Sequence, residues 1–382
     1  MALVLLVMEL AAWVGLRRVQ AITKHSRVAG LLWERPTFGE EQVEQTFAER
    51  DPVLGWPTTS QLASRRYEPD GARPGPAFGS AQPACAAAFG DSFTYAQEVN
   101  DADAWANRLS ETLGCRVANF GVAGYGVDQA YLRYQRKQDL LGAARAVVIG
   151  FFPENIMRHV NQYVGLRVAR PNLLFKPRFV VEAGRLVLYP ALPRDRFDPE
   201  RIAESPAEVF PHEFFLPGSR YGPVPLRFPY TLTAARALLH PRVLASVLGQ
   251  PNWVDFYQEG FAASDGMEVT AALLQAFARD VTASGKAPLV FVFTNASSVT
   301  AYLEEASWPY QAVLDFMLEA GIPYVHVGPR FAETFGADRI CEVFTRETLF
   351  GCTGHYTPEG YAMVADLIAR QLRNQGVFPA GP

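Results

Sequence analysis

Short apolar runs, each bounded by glycine, asparagine or threonine, recur five times along the chain. They span residues 85–90, 115–121, 147–152, 288–294 and 323–328. Runs of this length without polar alternation are typical of parallel strands that are buried on both faces. The pattern therefore predicts a sheet of five parallel strands.

Helical spacing fills the stretches between these runs. Trp105, Leu109 and Leu113 fall on one face of a predicted helix. Residues 267–284 have the same periodicity, and Gly285 suits the position just past a helix end. Strands and helices therefore alternate along the chain.

A final helix is predicted to begin after residue 357. Thr357 suits the N-cap and Pro358 the first helical position. The whole alternation predicts a three-layer α/β/α fold, in which helices cover both faces of a doubly wound parallel sheet. Ligands of such sheets bind beyond the carboxyl ends of the strands, so we expect the functional site at that edge.

Two regions lie outside this pattern. Residues 21–83 are rich in Pro, Gly and Arg, and we interpret them as an N-terminal extension. Residues from about 158 to 265 are too many for a plain connection, and 179–189 form a strand-like piece with Gly184 at a turn. We therefore predict an α/β domain over 84–382 with a large ordered insertion at about 158–265.

The N-terminus is strongly apolar. Residues 1–16 are nearly all apolar apart from Glu9, and Arg17 and Arg18 follow. The stretch is shorter than the roughly 20 residues that span a bilayer, and no basic residues precede it. We expect residues 1–20 to be a hydrophobic anchor or signal-like segment, with a buried helix as the alternative. A membrane-anchored or exported protein, periplasmic or extracellular, follows from the first interpretation and a cytoplasmic one from the second.

Composition limits the partners that we expect. The chain has 382 residues, of which 49% are hydrophobic and 19% charged, with a formal net charge of −4. This is the composition of an ordinary globular protein. Because no basic run or patch is evident, we expect no nucleic-acid partner.

The four cysteines show no CxxC spacing, so a zinc ribbon or thioredoxin-type motif is not indicated. Cys85 and Cys115 begin two strands that are neighbours in the predicted sheet, and Cys341 and Cys352 are close in sequence. We expect a disulfide in each pair if the domain is exported. Four buried free thiols are the alternative.

Candidate chemistry begins directly after the first strand. Gly90-Asp91-Ser92 places a hydroxyl at the carboxyl end of that strand, where a serine backbone N–H can face an oxyanion. The alternative is a turn in which Asp91 and Ser92 merely cap the next helix.

The next two strands end in further candidate loops. Residues 119–126 are rich in glycine but fit neither the dinucleotide-binding nor the P-loop pattern. Glu154 and Asn155 follow the third strand, and the Asn155 amide is an uncharged oxyanion donor. Ordinary strand-to-helix connections are the alternative for both loops.

His355 precedes the last helix, and we predict that it lies in a loop. The other five histidines form no spaced pair of the kind that binds a metal ion. We therefore expect neither a metal nor another cofactor.

These four blocks, in this order at strand ends, resemble those of the SGNH (GDSL) hydrolases. The resemblance covers residues 84–376 apart from the insertion, and it implies a flavodoxin-like sheet. It implies that Ser92 is the nucleophile and, through its N–H, an oxyanion donor. It implies further that Gly124 and Asn155 are oxyanion donors and that His355 is the base.

The sequence departs from the family pattern at two blocks. In the third block, either Glu154 or Asn155 aligns with the amide position. In the last block, the family's aspartate two or three residues before the histidine is replaced by Thr353 and Cys352. A backbone carbonyl, Glu342 or Glu347 could orient His355 instead. Asp91 and Glu154 are further acidic residues that could support the site.

The resemblance implies covalent catalysis on an ester. We expect the protein to cleave or transfer an acyl group of an O-acylated carbohydrate or another small ester. The alternative is a catalytically weak polysaccharide-binding or assembly protein that kept the fold and lost the acid.

Overall fold

The computed structural model describes residues 2–22, 31–34, 36–64, 66–168, 172–241, 243–244, 263–348 and 351–380. The strands in these ranges are β1 (Leu32–Trp33), β2 (Ala86–Phe89), β3 (Val117–Asn119), β4 (Ala146–Phe151), β5 (Arg178–Glu182), β6 (Arg185–Tyr189), β7 (Val224–Pro225), β8 (Ala287–Val292), β9 (Tyr324–His326), β10 (Phe344–Thr348) and β11 (Gly351–Tyr356).

The helices in the same ranges are connected by loops and short 3₁₀ turns. They are α1 (Ala2–Ile22), α2 (Glu40–Glu49), α3 (Thr59–Leu62), α4 (Ser92–Tyr95), α5 (Trp105–Leu113), α6 (Val127–Arg136), α7 (Asn155–His159), α8 (Val164–Val168), α9 (Pro199–Glu204), α10 (Pro206–Val209), α11 (Tyr230–Leu238), α12 (Gly266–Ala283), α13 (Ala296–Glu305), α14 (Gln311–Glu319), α15 (Gly328–Arg339) and α16 (Pro358–Asn374).

The central sheet has five parallel strands in the order β3-β2-β4-β8-β9. Counted along the chain, this is the 2-1-3-4-5 order of flavodoxin-like folds. Every residue of β2 and β4 is buried, which explains why these strands have no polar alternation. The predicted fold class is confirmed. β3 lies on one side of β2 and β4 lies on the other, so successive connections leave β2 in opposite directions.

Two groups of helices flank this sheet. Helix α5 packs against α16, and α6 packs against α12. The Thr357 side chain accepts a hydrogen bond from the Gly360 N–H at the start of α16, as its N-cap position predicts. Gly285 adopts φ +74° just past the end of α12. The predicted helix boundaries are thus confirmed at both places.

His355 lies in a strand and not in a loop, so the prediction for its surroundings was wrong. β10 and β11 form an antiparallel hairpin in which Phe344 pairs with Tyr356. The hairpin is hard to predict because Gly351 and Gly354, both with positive φ, interrupt any alternation of apolar and polar positions. The strand-like piece predicted over 179–189 with a turn at Gly184 is confirmed, and it consists of two paired strands, β5 and β6, with Gly184 between them.

Both predicted cysteine pairs form disulfides. Cys85 and Cys115 join the starts of β2 and β3, with Cα atoms 6.0 Å apart. Cys341 and Cys352 connect the turn before β10 to β11, with Cα atoms 5.3 Å apart. The second bond closes a loop of the chain directly ahead of His355.

The chain divides into two compact units. One comprises residues 1–56, 160–178 and 188–264, and the other comprises 57–159, 179–187 and 265–382. The central sheet belongs to the second unit. The boundaries drawn from the sequence at 20, 83 and about 158–265 remain a prediction.

The N-terminal apolar segment forms α1, whose first turns are exposed. Across the ranges that the structure describes, no helix combines the length and apolar character needed to cross a membrane.

Candidate active site

The serine loop follows β2 directly. Gly90 has φ +157°, and a side chain there would collide with the Thr94 hydroxyl, so only glycine fits. The Asp91 carboxylate accepts the Phe93 N–H at 2.9 Å and caps α4. Ser92 is consequently the first residue of this short helix and lies at the carboxyl end of β2.

Asp91, rather than Ser92, makes the capping hydrogen bond of α4. The Ser92 side chain is largely buried, yet its hydroxyl makes no hydrogen bond within the described residues. The capping interpretation of the sequence therefore holds for Asp91 only. A nucleophilic role for Ser92 remains a prediction.

The glycine-rich loop after β3 lies against the serine loop. The Val122 N–H donates to the Gly90 carbonyl at 2.9 Å, and the Asn119 amide donates to the Thr94 carbonyl at 2.7 Å. Gly121 approaches the Tyr95 backbone so closely that a Cβ would collide with it. Close backbone approach thus explains why this loop is rich in glycine.

Gly124 lies at the exposed tip of that loop. The turn is closed by the Tyr125 N–H, which donates to the Val122 carbonyl, and Gly124 occupies its third position with φ +82°. A positive φ at this position is typical of a type II turn and favours glycine. The predicted role of its N–H as an oxyanion donor remains a prediction.

Asn155 joins three loops at the edge of the sheet. Its amide nitrogen donates to Asp91 Oδ2 at 3.1 Å and to the Tyr125 carbonyl at 3.3 Å, while its oxygen accepts the Phe152 N–H. Both amide hydrogens thus have acceptors within the protein. To act as an oxyanion donor, the Asn155 amide would have to break one of these two hydrogen bonds and donate to the substrate oxygen instead.

Glu154 has a different partner. Its carboxylate lies 3.4 Å from Arg158, whose guanidinium also donates to the Tyr125 carbonyl at 2.7 Å and lies 3.5 Å from Asp91. Complete burial raises the pKa of Asp91, and the neighbouring Arg158 opposes that rise. Of the two residues that could occupy the amide position, Asn155 is therefore the one that contacts the serine loop.

His355 is held by a carboxylate that the sequence motifs did not indicate. Its Nδ1 atom lies 3.2 Å from Glu98 Oε2. This distance suits an ion pair, but the geometry is not that of a hydrogen bond. The same oxygen accepts the His355 backbone N–H at 3.2 Å. Glu98 follows the serine loop in sequence, 257 positions before the histidine.

Several interactions fix Glu98 in this place. It accepts hydrogen bonds from the Thr345 hydroxyl and pairs with Arg346, both on β10. Partial burial acts to raise the pKa of Glu98, but the hydrogen bonds from Thr345 and His355 outweigh it and lower the pKa to about 2. Its φ of +75° is unusual for a residue other than glycine, and such strain persists only where surroundings enforce it.

Neither of the two acids that the sequence suggested as partners of His355, Glu342 and Glu347, is seen beside its imidazole. Glu342 is exposed and forms an ion pair with Arg339 at 2.7 Å. The backbone of Glu347 pairs with that of Cys352 in the hairpin, while its side chain lies outside the described residues. Glu98 gave no sequence signal, because its position beside His355 depends on where the β10–β11 hairpin packs.

His355 approaches the serine loop through Phe93. The Phe93 and His355 rings have centroids 4.8 Å apart, and α4 packs against β11. Tyr356, the next residue, anchors this strand by a hydrogen bond from its hydroxyl to the Thr294 carbonyl at 2.7 Å. No hydrogen bond joins Ser92 to His355 among the residues that the structure describes.

Comparisons with known proteins find distant likenesses among solved structures. No protein-family model and no curated protein matches the sequence. One solved structure, from Desulfitobacterium hafniense and described as a lipolytic protein of the G-D-S-L family, is 13% identical with a TM-score of 0.33, covering 75% of this chain and 98% of its own. A protein from Lactobacillus plantarum is 12% identical with a TM-score of 0.34, covering 77% and 98%.

Proposed function

We propose that this chain is a serine esterase or acyltransferase that uses Ser92 as nucleophile and His355 as base. The observation that carries this proposal is the placement of the Glu98 carboxylate at the His355 Nδ1 atom, on an imidazole that packs against the residue following Ser92. A carboxylate at Nδ1 sets the imidazole tautomer that leaves Nε2 free to accept a proton.

The proposed reaction begins when His355 Nε2 takes the proton of the Ser92 hydroxyl. The serine oxygen attacks the ester carbonyl, and the Ser92 and Gly124 N–H groups stabilise the resulting oxyanion. The intermediate collapses to an acyl-serine, and His355 returns the proton to the departing alcohol. A second alcohol or a water molecule then attacks the acyl group while His355 takes its proton, and the second intermediate collapses as His355 returns that proton to the departing Ser92 oxygen.

Glu98 would stabilise the imidazolium that forms in both steps. Its pKa of about 2 keeps it ionised throughout the neutral range, so a negative charge faces Nδ1 whenever His355 accepts a proton. Glu98 would thus take the part of the aspartate that the SGNH pattern places two or three residues before the histidine, where this chain has Thr353 and Cys352.

The class of substrate follows from the same chemistry. An O-acylated carbohydrate or another small ester fits an attack by serine on an acyl carbonyl. The acceptor decides between hydrolysis by water and transfer to a sugar hydroxyl, and both begin with the same acyl-serine. None of these steps needs a metal ion or another cofactor.

A variant of the nucleophile tests the proposal. Ser92→Ala should abolish turnover of a short-chain aryl ester while leaving the thermal unfolding temperature unchanged, because it removes the hydroxyl and little volume. Ser80→Ala, which alters a hydroxyl bound to Glu68, serves as the matched control. Wild-type turnover by the Ser92→Ala protein would refute the proposed mechanism.

Two observations favour the alternative binding or assembly function. Ser92 and His355 are not hydrogen-bonded to each other within the described part of the chain, and the Asn155 amide is occupied by protein acceptors. A fluorophosphonate probe separates the two functions. Labelling of Ser92 that disappears in His355→Ala supports the enzyme, and folded protein that stays unlabelled supports the polysaccharide-binding alternative.

A further inference from the structure

The first two turns of α1 are apolar and exposed on every side. Residues 2–8 carry no polar side chain, and all are exposed, with Leu3 73% and Leu6 67% accessible. Helices that are apolar all round normally lie in a protein core or in a membrane. A surface of this kind indicates that something apolar covers it.

Helix α11 exposes a second apolar stripe. Leu232, Ala235 and the C-cap residue Leu239 follow one another at helical spacing and are all exposed, with Leu239 70% accessible. Thr233 and Ala237, on the other side of the helix, are buried. The stripe therefore faces outward, while the inner side of α11 contributes to the protein core.

These two helices pack against each other. Leu16 of α1 and Ala237 of α11 belong to one buried apolar cluster. The Glu9 carboxylate, the single charge among residues 1–16, accepts the N–H groups of Tyr230 and Thr231 at the start of α11. The helix N-terminus thus satisfies the only acid in the apolar part of α1.

The charge around this surface is positive. Arg17, Arg18, Arg227 and Arg236 lie in α1 and in residues 224–240, where Glu9 is the only acid, and all four are exposed. Arg17 forms an ion pair with Glu34, so the excess positive charge is carried by the other three. The excess contrasts with the net charge of −4 of the whole chain, and it complements the headgroups of anionic lipids.

We propose that α1 and the exposed stripe of α11 together dock onto the surface of an anionic lipid bilayer. Residues 2–8 would insert among the acyl chains, the leucines of the α11 stripe would enter the boundary between headgroups and acyl chains, and the arginines would contact phosphate groups. A partner helix or a second copy would cover one side of α1, whereas residues 2–8 are exposed all round. Lipid is the occupant that can surround them.

A fluorescent label on α11 tests this proposal even if α1 by itself keeps the protein on vesicles. The four native cysteines are paired in disulfides, so Leu239→Cys provides a single thiol for an environment-sensitive dye in the full chain. Leu318→Cys, on α14, is the matched control because Leu318 is 71% exposed.

Vesicles of phosphatidylcholine and phosphatidylglycerol should shift the emission at position 239 to the blue and leave position 318 unchanged. Brominated acyl chains should quench the first label only. No response at position 239, or an equal response at both positions, would overturn the proposal.

Vesicle flotation supplies a second measurement. Changing Leu232 and Leu239 together to Gln should lower the partition coefficient by about tenfold or more, since two exposed leucines would no longer enter lipid. Changing Arg227 and Arg236 to Gln should weaken binding to anionic vesicles only, and Arg185→Gln should have no effect.

Two results would count against lipid as the occupant. One is equal partitioning of the wild-type and leucine-variant proteins, and the other is vesicle-free self-association that the leucine changes abolish. Aryl-ester turnover is measured separately. A failure of vesicle binding and a failure of the esterase proposal are therefore distinguishable.

Discussion

Two carboxylates flank Ser92 in sequence, and the structure gives them opposite surroundings. Asp91 is completely buried, where it caps α4 and contacts Asn155 and Arg158. Glu98 keeps some exposure and faces His355 and the β10–β11 hairpin. One carboxylate is connected to the loops beneath the serine, whereas the other is connected to the predicted base.

The difference shows how burial and partners assign roles to chemically similar groups. Burial raises the pKa of Asp91, so its ionised form depends on Arg158. Hydrogen bonds from Thr345 and His355 lower the pKa of Glu98 despite its partial burial. We therefore expect removal of Arg158 to act mainly on the free energy of unfolding. Removal of Glu98 should act mainly on kcat.

The largest expected effect is on turnover. Glu98→Gln should lower kcat by about 10³- to 10⁴-fold, because an amide fails to fix the imidazole tautomer and to stabilise imidazolium. The protein should stay folded at neutral pH, although with a lower midpoint of urea unfolding, because the ionised Glu98 also stabilises the folded state. Glu342→Gln, which removes an exposed ion pair, is the control and should retain wild-type kcat. Full activity of Glu98→Gln would show that another group orients His355.

The buried cluster should respond in stability. Arg158→Met should lower the free energy of unfolding by about 3–5 kcal/mol at neutral pH, because it leaves the Asp91 charge buried without a cation. The loss should diminish at lower pH, where Asp91 becomes protonated. Urea titrations at two pH values measure both effects, with the exposed Arg330→Met as control. A pH-independent loss would show that packing, not charge, is responsible.

A smaller effect separates the two residues of the third loop. Asn155→Ala should lower kcat by about 10²- to 10³-fold if its amide reaches the oxyanion, with a smaller change in KM. Glu154→Ala should change kcat less, since its carboxylate lies on Arg158. Steady-state kinetics on an aryl ester decide between them. The reverse order would assign the amide position to Glu154.

Acid unfolding provides the smallest effect. Because the pKa of Glu98 is about 2 in the folded protein and about 4.3 in an unfolded chain, its contribution is complete above pH 4.3. That contribution disappears as the pH falls towards 2. The difference in unfolding free energy between wild type and Glu98→Gln should therefore shrink over this interval. A constant difference would mean that the carboxylate is not stabilised as an anion.

Local patterns in the sequence determined much of the fold. The five apolar runs, the Thr357 cap and the turn glycines 184 and 285 each depend on neighbours a few residues away, and the structure confirms them. The serine loop was also predictable, because glycine, a capping acid and a hydroxyl follow one another directly after β2.

The partner of His355 was decided only by tertiary structure. The two glycines of β11 hide the hairpin that carries the histidine, and Glu98 lies at a distant point in the chain. No periodicity relates such positions, since their contact arises when the hairpin packs beside α4. The sequence by itself determined the strand ends and the order of the motifs. Packing determined which carboxylate faces the imidazole, because side-chain contacts between residues far apart in sequence depend on the whole fold.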